Sequence, residues 1–294
     1  MKKRSENKLR ILVLGANGML GNAVVRVLSE NNNLIVFGTV RAESSKQLFT
    51  ETIASRIFSG VDIEREESLT RVFSETQPDV VINCVGLIKQ LSDFNDPLEV
   101  IPINSMLPHR LAKMCIGKAR LIHISTDCVF DGSKGHYLES DSADARDLYG
   151  MSKYIGEVSY PHCVTLRTSI IGHELESKNS LVEWFLSQEL SCKGFNKAFF
   201  SGFPAVVLAQ IIRDVVIPEN KLSGIFHVAA NPINKYDLLT LIADIYDKSI
   251  QIIPDDSVVI DRSLNADKFR RETGYNAPEW PSLIRTMNAY NKGS

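Results

Sequence analysis

Tyr149 and Lys153 lie four residues apart in Leu148-Tyr149-Gly150-Met151-Ser152-Lys153. On a helix that spacing sets both side chains on one face, about one turn from each other. An unperturbed phenol has a pKa of about 10, and a nearby ammonium stabilises phenolate and draws that value down. Such a pair is suited to moving a proton to or from a bound group. Upstream, Ser125-Thr126-Asp127 closes the apolar run Leu121 to Ser125 and offers a hydroxyl that can donate to an oxygen on which negative charge develops. Taken alone, Tyr-x-x-x-Lys is also what an exposed helix pair looks like. Its meaning comes from the start of the chain.

There, directly after the run Leu9 to Leu14, stands Gly15-Ala16-Asn17-Gly18-Met19-Leu20-Gly21. Glycines at this spacing between a strand and a helix permit close backbone approach to a diphosphate, and the helix start points free N–H groups at the charge. Gly15, Asn17, Gly18, Met19 and Leu20 are the expected contacts, and an ordinary tight turn is the alternative. At the end of the second strand, where an acidic residue would bond the ribose of NAD, the chain has Phe37-Gly38-Thr39-Val40-Arg41. Thr39 and Arg41 suit a 2′-phosphate, so NADP(H) is favoured over NAD(H), against the reading of Arg41 as a surface cation. Asp62 and Ile63 follow the third strand, where they could meet the adenine, although Asp62 equally suits a helix N-cap. Cys84, Val85 and Gly86 close the fourth strand at the sheet edge where such folds bind ligand, with Cys84 read as a packing residue rather than a nucleophile.

A dinucleotide loop gives the Tyr149–Lys153 pair a reaction. When hydride from a nicotinamide adds to a ketone carbon, a proton must reach the oxygen. Tyr149 can supply it, Lys153 can stabilise phenolate and reach the nicotinamide ribose, and Thr126 can hold the substrate oxygen in line. Bringing the phenol near neutrality needs a shift of ~3 units, roughly 4 kcal/mol.

The positioning elements follow from periodicity. Leu9 to Leu14, Leu34 to Phe37, Val80 to Val85, Leu121 to Ser125 and Val164 to Arg167 read as strands apolar on both faces. Helical spacing runs through Met19 to Leu28, Glu66 to Glu75, Leu98 to Cys115 and Tyr149 to Ser159. This alternation predicts an α/β fold, a Rossmann-type doubly wound parallel sheet, over residues 1–167. Residues 168–294 are expected to form mainly a smaller mixed α/β C-terminal substrate lobe, with a segment near 225–245 as a candidate for return to the sheet. In that lobe Ser180 to Leu190 and Tyr236 to Tyr246 read as helices and Ile225 to Val228 as a strand. Pro204, Pro218, Pro232, Pro254, Pro278 and Pro281 interrupt the rest.

Of 294 residues 44% are hydrophobic, enough for a large core, and 33 Lys plus Arg against 35 Asp plus Glu leave a formal charge of -2. That balance argues against nucleic acid as a partner. Lys2, Lys3, Arg4 and Lys8 read as a solvated arm, since the apolar run behind them is too short for a secretory core or a membrane span. Five scattered cysteines with no Cys-x-x-Cys fit a reducing cytoplasm, and the six dispersed histidines show no ligand spacing, so no metal site is assigned.

The phosphate loop, Ser125-Thr126-Asp127-Cys128-Val129-Phe130-Asp131-Gly132 and the Tyr149–Lys153 segment with Gly156-Glu157 resemble the extended short-chain dehydrogenase/reductases. Within them the chain most resembles the dTDP-4-dehydrorhamnose reductase group. Arg167-Thr168-Ser169, Phe200-Ser201-Gly202-Phe203-Pro204 and the stretch from Arg262-Ser263-Leu264-Asn265 to Trp280-Pro281-Ser282-Leu283 extend that resemblance over nearly the whole chain. It implies an NADPH-dependent oxidoreductase that reduces a nucleotide-linked 4-keto-6-deoxy sugar at C4, with Thr126, Tyr149 and Lys153 in the catalytic roles. It further implies coenzyme contacts at Arg167 and Thr168, and substrate contacts at Ser125, Thr126, Asp127, Val129, Phe130, Ser201 and Phe203. The segment Gly86-Leu87-Ile88-Lys89-Gln90-Leu91-Ser92 departs from the rhamnose reductases, and Pro204-Ala205 replaces their Pro-Thr. The substrate is therefore left between dTDP-4-dehydrorhamnose and a UDP-linked 4-keto-6-deoxy-N-acetylhexosamine, and Lys89 between a ligand contact and a solvated side chain.

Two alternatives stay open. One is a sugar-nucleotide epimerase that keeps its NAD(P) bound. A dehydratase is disfavoured, because Cys128 stands where an acidic pair is expected. The other is a non-catalytic NADP-binding regulatory subunit, a kind of relative that the group includes. The expected partner is the nucleotide sugar, with no membrane and with a homodimer left open.

Overall fold

Short runs rich in apolar residues become parallel strands: β1 (Leu9–Leu14), β2 (Leu34–Thr39), β3 (Ile57–Phe58), β4 (Val80–Asn83), β5 (Arg120–Thr126) and β6 (Cys163–Thr168). The remaining strands are β7 (Ile170–Ile171), β8 (Ser191–Phe200), β9 (Phe203–Pro204), β10 (Gly224–His227), β11 (Ile233–Asn234) and β12 (Gln251–Asp261). The computed structural model describes residues 8–88, 96–175 and 180–292. Lys89 and the charges Lys2, Lys3 and Arg4 lie outside the described residues.

The helices are α1 (Met19–Ser29), α2 (Glu51–Ala54), α3 (Glu66–Thr76), α4 (Pro97–Val100), α5 (Leu107–Cys115) and α6 (Leu148–Ile155). They continue as α7 (Leu181–Ser187), α8 (Ala205–Ile211), α9 (Lys235–Ile245), α10 (Asp267–Thr273) and α11 (Trp280–Lys292). A wider turn over Ile101–Met106 joins α4 to α5, so the chain is helical from Pro97 to Cys115.

The main sheet has seven strands in the order β10-β6-β5-β4-β1-β2-β3, and every neighbouring pair is parallel. Alternation along β1 explains why Ile11 to Leu14 is apolar at every position. Ile11 and Val13 pack in one buried cluster with α1 and α8, while Leu12 and Leu14 pack in another with α3 and α5. This is the doubly wound α/β fold. Chain order reverses between β1 and β4, which opens the crevice where such sheets take ligand, at the carboxyl ends of the strands. The strand Gly224–His227 lies beside β6 as the last strand on that side.

A second, three-stranded sheet, β11-β8-β12, lies in the C-terminal part. Neither of its long strands is expected from the sequence. In β8 three of the four buried positions are held by small residues, Cys192, Gly194 and Ala198, with Phe200 the fourth, so the alternation is faint. β12 contains Pro254, which reads as an interruption; it is tolerated because β12 is an edge strand, irregular between Asp255 and Val259.

α6 stops at Ile155 rather than running to Ser159. Val158 leaves the helix to be buried, and both its N–H and its carbonyl are bonded by the Thr165 hydroxyl, at 3.2 and 2.7 Å.

Candidate active site

The loop after β1 is shaped by backbone contact. Gly15 has φ +77°, and the Gly18 N–H donates to the Gly15 carbonyl at 3.2 Å. A Cβ on Gly21 would stand 2.0 Å from the Gly15 carbonyl oxygen, so only glycine lets α1 press onto the loop. Gly18 is exposed and caps α1 with extended backbone and no side-chain hydrogen bond. The first N–H groups of α1 therefore face an open cradle, and the loop fits the diphosphate of a dinucleotide. Asn17 and Met19 are half-buried at its rim, and Leu20 packs in the core.

Thr39 has a different job from the one its hydroxyl suggests. It is buried, and its Oγ1 accepts from the Gly15 N–H at 3.3 Å while its carbonyl accepts from Ala16 at 2.9 Å. It holds the loop, and Arg41, exposed two residues on, is left as the cation at the end of β2. Asp62 is not a helix N-cap, a position held by Arg65. Its carboxylate accepts from the Glu64 N–H at 3.0 Å and pairs with Arg65 at 3.2 Å. Ile63 turns into the core beside Val61 and Leu69. On the other side of the loop, burial pushes the Cys84 thiol up to about 12, which suits packing and not nucleophilic attack. Val85 packs against Gly15, and Gly86 is exposed at the cleft.

The proton-transfer groups converge at the ends of β4 and β5. Thr126 closes β5 and caps the short turn Asp127–Val129, accepting from the Cys128 N–H at 3.1 Å and donating to Asp127 Oδ1 at 3.1 Å. α6, capped by Asp147, packs so closely on this turn that a Cβ on Gly150 would stand 2.3 Å from the Cys128 carbonyl oxygen. That approach brings the Tyr149 phenol into hydrogen bonding with the Thr126 side chain. One turn on, the Lys153 ammonium donates to the Ile124 carbonyl at 2.8 Å and lies near Gly86.

Burial dominates the electrostatics. It raises the Tyr149 phenol above its ordinary value, against the lowering expected from a lysine neighbour, and it pulls Lys153 down to about 8. Asp127 is also raised by burial, with hydrogen bonds from Cys128, Thr126 and Ser169 opposing. The phenol thus keeps its proton at neutral pH.

Several expected contacts have their side chains committed elsewhere. Ser125 donates to Glu157 at 2.7 Å, and Arg167 makes two bonds to the same carboxylate, so both are held in a buried cluster behind β5 and β6. Phe130 is fully buried, stacked on Tyr137 with ring centroids 4.1 Å apart, and Val129 packs with them. Ser201 accepts from the Leu264 N–H at 3.0 Å, Phe203 packs against Tyr275, and the buried Thr168 hydroxyl donates to Ser169 O at 3.3 Å. These residues build the walls of the cleft rather than its lining.

Residues that sequence reasoning passed over also shape the site. Asn104, in the wide turn before α5, accepts from Leu87 N–H at 2.9 Å and donates to Leu87 O and Ser152 Oγ, fixing the chain beside Gly86. A polar residue amid Ile103 and Leu107 on a helical face was its signal. Lys235, at the start of α9, and Arg262, after β12, are close enough to Asp127 to interact with its charge. Nothing in the local sequence marks Lys235, while Arg262 opens the stretch Arg262-Ser263-Leu264-Asn265 that carries the family resemblance without a role of its own. Among the described residues, no group of three or more His, Cys, Asp or Glu could hold a metal ion. Nor is any described helix long and apolar enough to cross a membrane.

Over 270 residues the chain is 28% identical to a probable low-salt glycan biosynthesis reductase of Haloferax volcanii, covering 88% of this chain and 85% of that protein. It is also 28% identical to methionine adenosyltransferase 2 subunit beta of Bos taurus, covering 94% and 88%. Among solved structures, dTDP-4-dehydrorhamnose reductase of Bacillus anthracis in complex with NADP superposes with a TM-score of 0.76 at 19% identity, over 96% of this chain and 99% of that one. Residues 9–287 match the RmlD substrate binding domain family, and with the loop, the sheet order and the Thr126–Tyr149–Lys153 grouping in place, the chain belongs to that family.

Proposed function

We propose that the chain is an NADP(H)-dependent reductase of a nucleotide-linked 4-keto-6-deoxy sugar. The observation that carries this reading is the hydrogen bond between Thr126 and Tyr149, with Lys153 one turn away on the same helix and the glycine loop at the end of β1, two strands from β5. The similarity to a glycan biosynthesis reductase and to a rhamnose reductase holding NADP supports it. Arg41, exposed at the end of β2 with no carboxylate before Glu43, supports the choice of NADP(H).

The coenzyme, when bound, supplies hydride. The chain's own residues supply the rest. The α1 N-terminus and Gly15–Gly18 hold the diphosphate. Thr126 orients the substrate carbonyl oxygen by turning its hydroxyl from Asp127 to that oxygen, and Tyr149, which carries its proton at neutral pH, delivers it there. Lys153 anchors the phenol's side of the cleft and offers its ammonium to ribose hydroxyls. The walls formed by Phe130 and Val129 keep water from the reacting oxygen.

The test is an assay of NADPH oxidation with dTDP- and UDP-linked 4-keto-6-deoxy sugars, followed by identification of the product. Stoichiometric oxidation with a new hydroxyl at C4 is expected. Product formed with no net coenzyme consumption would replace the reading with an epimerase. The similarity to a methionine adenosyltransferase subunit favours a second reading, a coenzyme-binding regulatory subunit. It would be adopted if no keto sugar were turned over and an obligatory partner protein were captured.

A further inference from the structure

The turn that Thr126 caps and the helix that carries Tyr149 are joined by residues 130–147, which hold neither helix nor strand apart from an isolated parallel bridge between Tyr137 and Leu264. A connection longer than about 12–15 residues with no structure of its own is uncommon in a compact domain, and it keeps its ends in place only through what it is fastened to. Near its end, Asp144 and Ala145 return their N–H groups to the Val129 carbonyl at 3.1 and 3.0 Å. Its middle is fastened to the C-terminal part, and the fastening centres on Tyr137.

Tyr137 is buried, with its ring flat against Phe130, the two planes 9° apart. Its hydroxyl accepts from the Gly132 and Lys134 N–H groups, each at 3.2 Å, and donates to Asp131 Oδ1 at 3.0 Å, so it draws residues 131–137 into a closed loop. Its main chain is bonded to other segments. The N–H donates to the Ser263 carbonyl at 2.9 Å, and the carbonyl accepts from the Asn265 N–H at 2.8 Å and from His227 Nδ1 at 3.0 Å. On either side, the His136 N–H donates to Ser263 Oγ at 2.9 Å and the Gly132 carbonyl accepts from the Asp261 N–H at 2.8 Å. The approach is close enough that a Cβ on Gly135 would stand 2.3 Å from Asp261 Oδ2.

Both ends of this arrangement meet the cleft. The Phe130 N–H donates to the Asp127 carbonyl at 3.0 Å and so closes the turn that Thr126 caps. Leu264, between the two residues bonded to Tyr137, donates its N–H to Ser201 Oγ at 3.0 Å, which ties the opposite wall to the same point.

We propose that residues 130–147 strap the C-terminal lobe to the catalytic turn, and that Tyr137 is the positioning residue of the strap, setting the Ser201–Leu264 wall against the Thr126–Tyr149 pair. The inference rests on the proposed function and adds a residue to it. Tyr137 acts through Phe130 on one side and through Ser263 to Asn265 on the other. Hydride transfer and proton delivery to one oxygen tolerate little error in placement, and a displacement of about 1 Å can cost a factor of about 100 in rate. Without the hydroxyl, the buried Gly132 N–H has no acceptor and Asp131 loses a donor, so the loop loosens while the stack on Phe130 stays.

The experiment compares the parent with Tyr137→Phe, which keeps the stack and removes the hydroxyl, and with Tyr137→Leu, which removes both. NADPH affinity and stoichiometry, kcat and KM with the keto sugar that the parent reduces, and amide hydrogen exchange over 131–137 and 260–266 are measured. Tyr137→Phe is expected to bind NADPH as the parent does, to lose kcat by about tenfold or more, and to exchange its 260–266 amides faster by a similar factor. Tyr137→Leu should lose more of both. A kcat in Tyr137→Phe that matches the parent overturns the proposal, as does one that falls only in step with the fraction of chains binding NADPH. The two readings fail separately. Faster exchange over 260–266 in Tyr137→Phe, with no keto sugar reduced by the parent, keeps the strap and removes the reductase. An active parent whose exchange and kcat are both unchanged by Tyr137→Phe keeps the reductase and removes the strap.

Discussion

Arg167 and Glu157 form a bidentate ion pair that is buried at both ends, with Nε to Oε1 at 2.7 Å and Nη2 to Oε2 at 2.6 Å. Ser125 adds a third bond to Oε1, and Nη1 of Arg167 reaches His227 Nε2 at 3.3 Å. Since Arg167 is on β6, Ser125 on β5 and His227 on β10, one carboxylate ties together the strand ends that present Thr126 to the cleft.

Removing that carboxylate should therefore cost fold stability. Glu157→Ala leaves a guanidinium buried without its partner, a change worth about 3–5 kcal/mol. Denaturant unfolding should show a midpoint shift of that size, whereas Lys134→Ala, which breaks the exposed pair with Asp141, should lose no more than about 1 kcal/mol. Equal and small losses for both would mean that the buried pair does not hold the strand ends.

Tyr149→Phe removes the proton donor and leaves the ring that packs beside Cys128. Turnover should fall by a factor of about 100 or more, the usual contribution of a positioned general acid. NADPH binding, followed by fluorescence, should be within a few-fold of the parent. Full activity in the variant would take the phenol out of the mechanism.

The parts of this site that were legible in the sequence are those governed by backbone. The loop Gly15–Gly21 follows from glycine spacing between a strand and a helix, and Tyr149 and Lys153 follow from helical spacing four residues apart. Side-chain direction was not legible in the same way. Ser125 and Arg167 turn to Glu157, and Thr39 turns to Gly15, because each strand residue has two faces and the choice depends on partners from other strands. Phe130 reads as a lining residue and is instead stacked in a cluster whose other members, Tyr137 and Leu264, come from separate segments. Lys235 and Arg262 reach the cleft only through β8, β11 and β12. Of these, β8 is masked by Lys193, Gly194 and Lys197 and β12 by Pro254-Asp255-Asp256, whose residue types read as loop.

The choice between coenzymes should rest on Arg41. Its guanidinium is exposed at the end of β2, and Thr39, the other candidate for a 2′-phosphate, is spent on the Gly15 N–H. Arg41→Ala should weaken NADPH about tenfold or more, in line with losing one charge-assisted bond worth about 1.5–3 kcal/mol, and should leave NADH nearly unchanged. Comparable losses for the two coenzymes would place recognition of the 2′ position elsewhere.

Lys153 should give the enzyme its alkaline limit. Burial pulls its pKa to about 8 and raises that of Tyr149, so on raising the pH from neutrality the ammonium is lost well before the phenol proton. If the ammonium is needed, kcat/KM should fall with a midpoint near pH 8. Lys153→Arg, slower overall, should lose that limb because a guanidinium stays charged. Stability should move the other way. The folded chain binds fewer protons at this site than the unfolded chain between about pH 8 and the ordinary lysine value of 10.5, so the cost of burying the charge is full below pH 8 and is relieved across that window. Measured against Lys153→Met, which never carries the charge, the parent should gain stability from pH 8 to 10, by at most about 3 kcal/mol at roughly 1.4 kcal/mol per pKa unit. A flat difference across that range, with the activity limb still near pH 8, would assign the limb to another group.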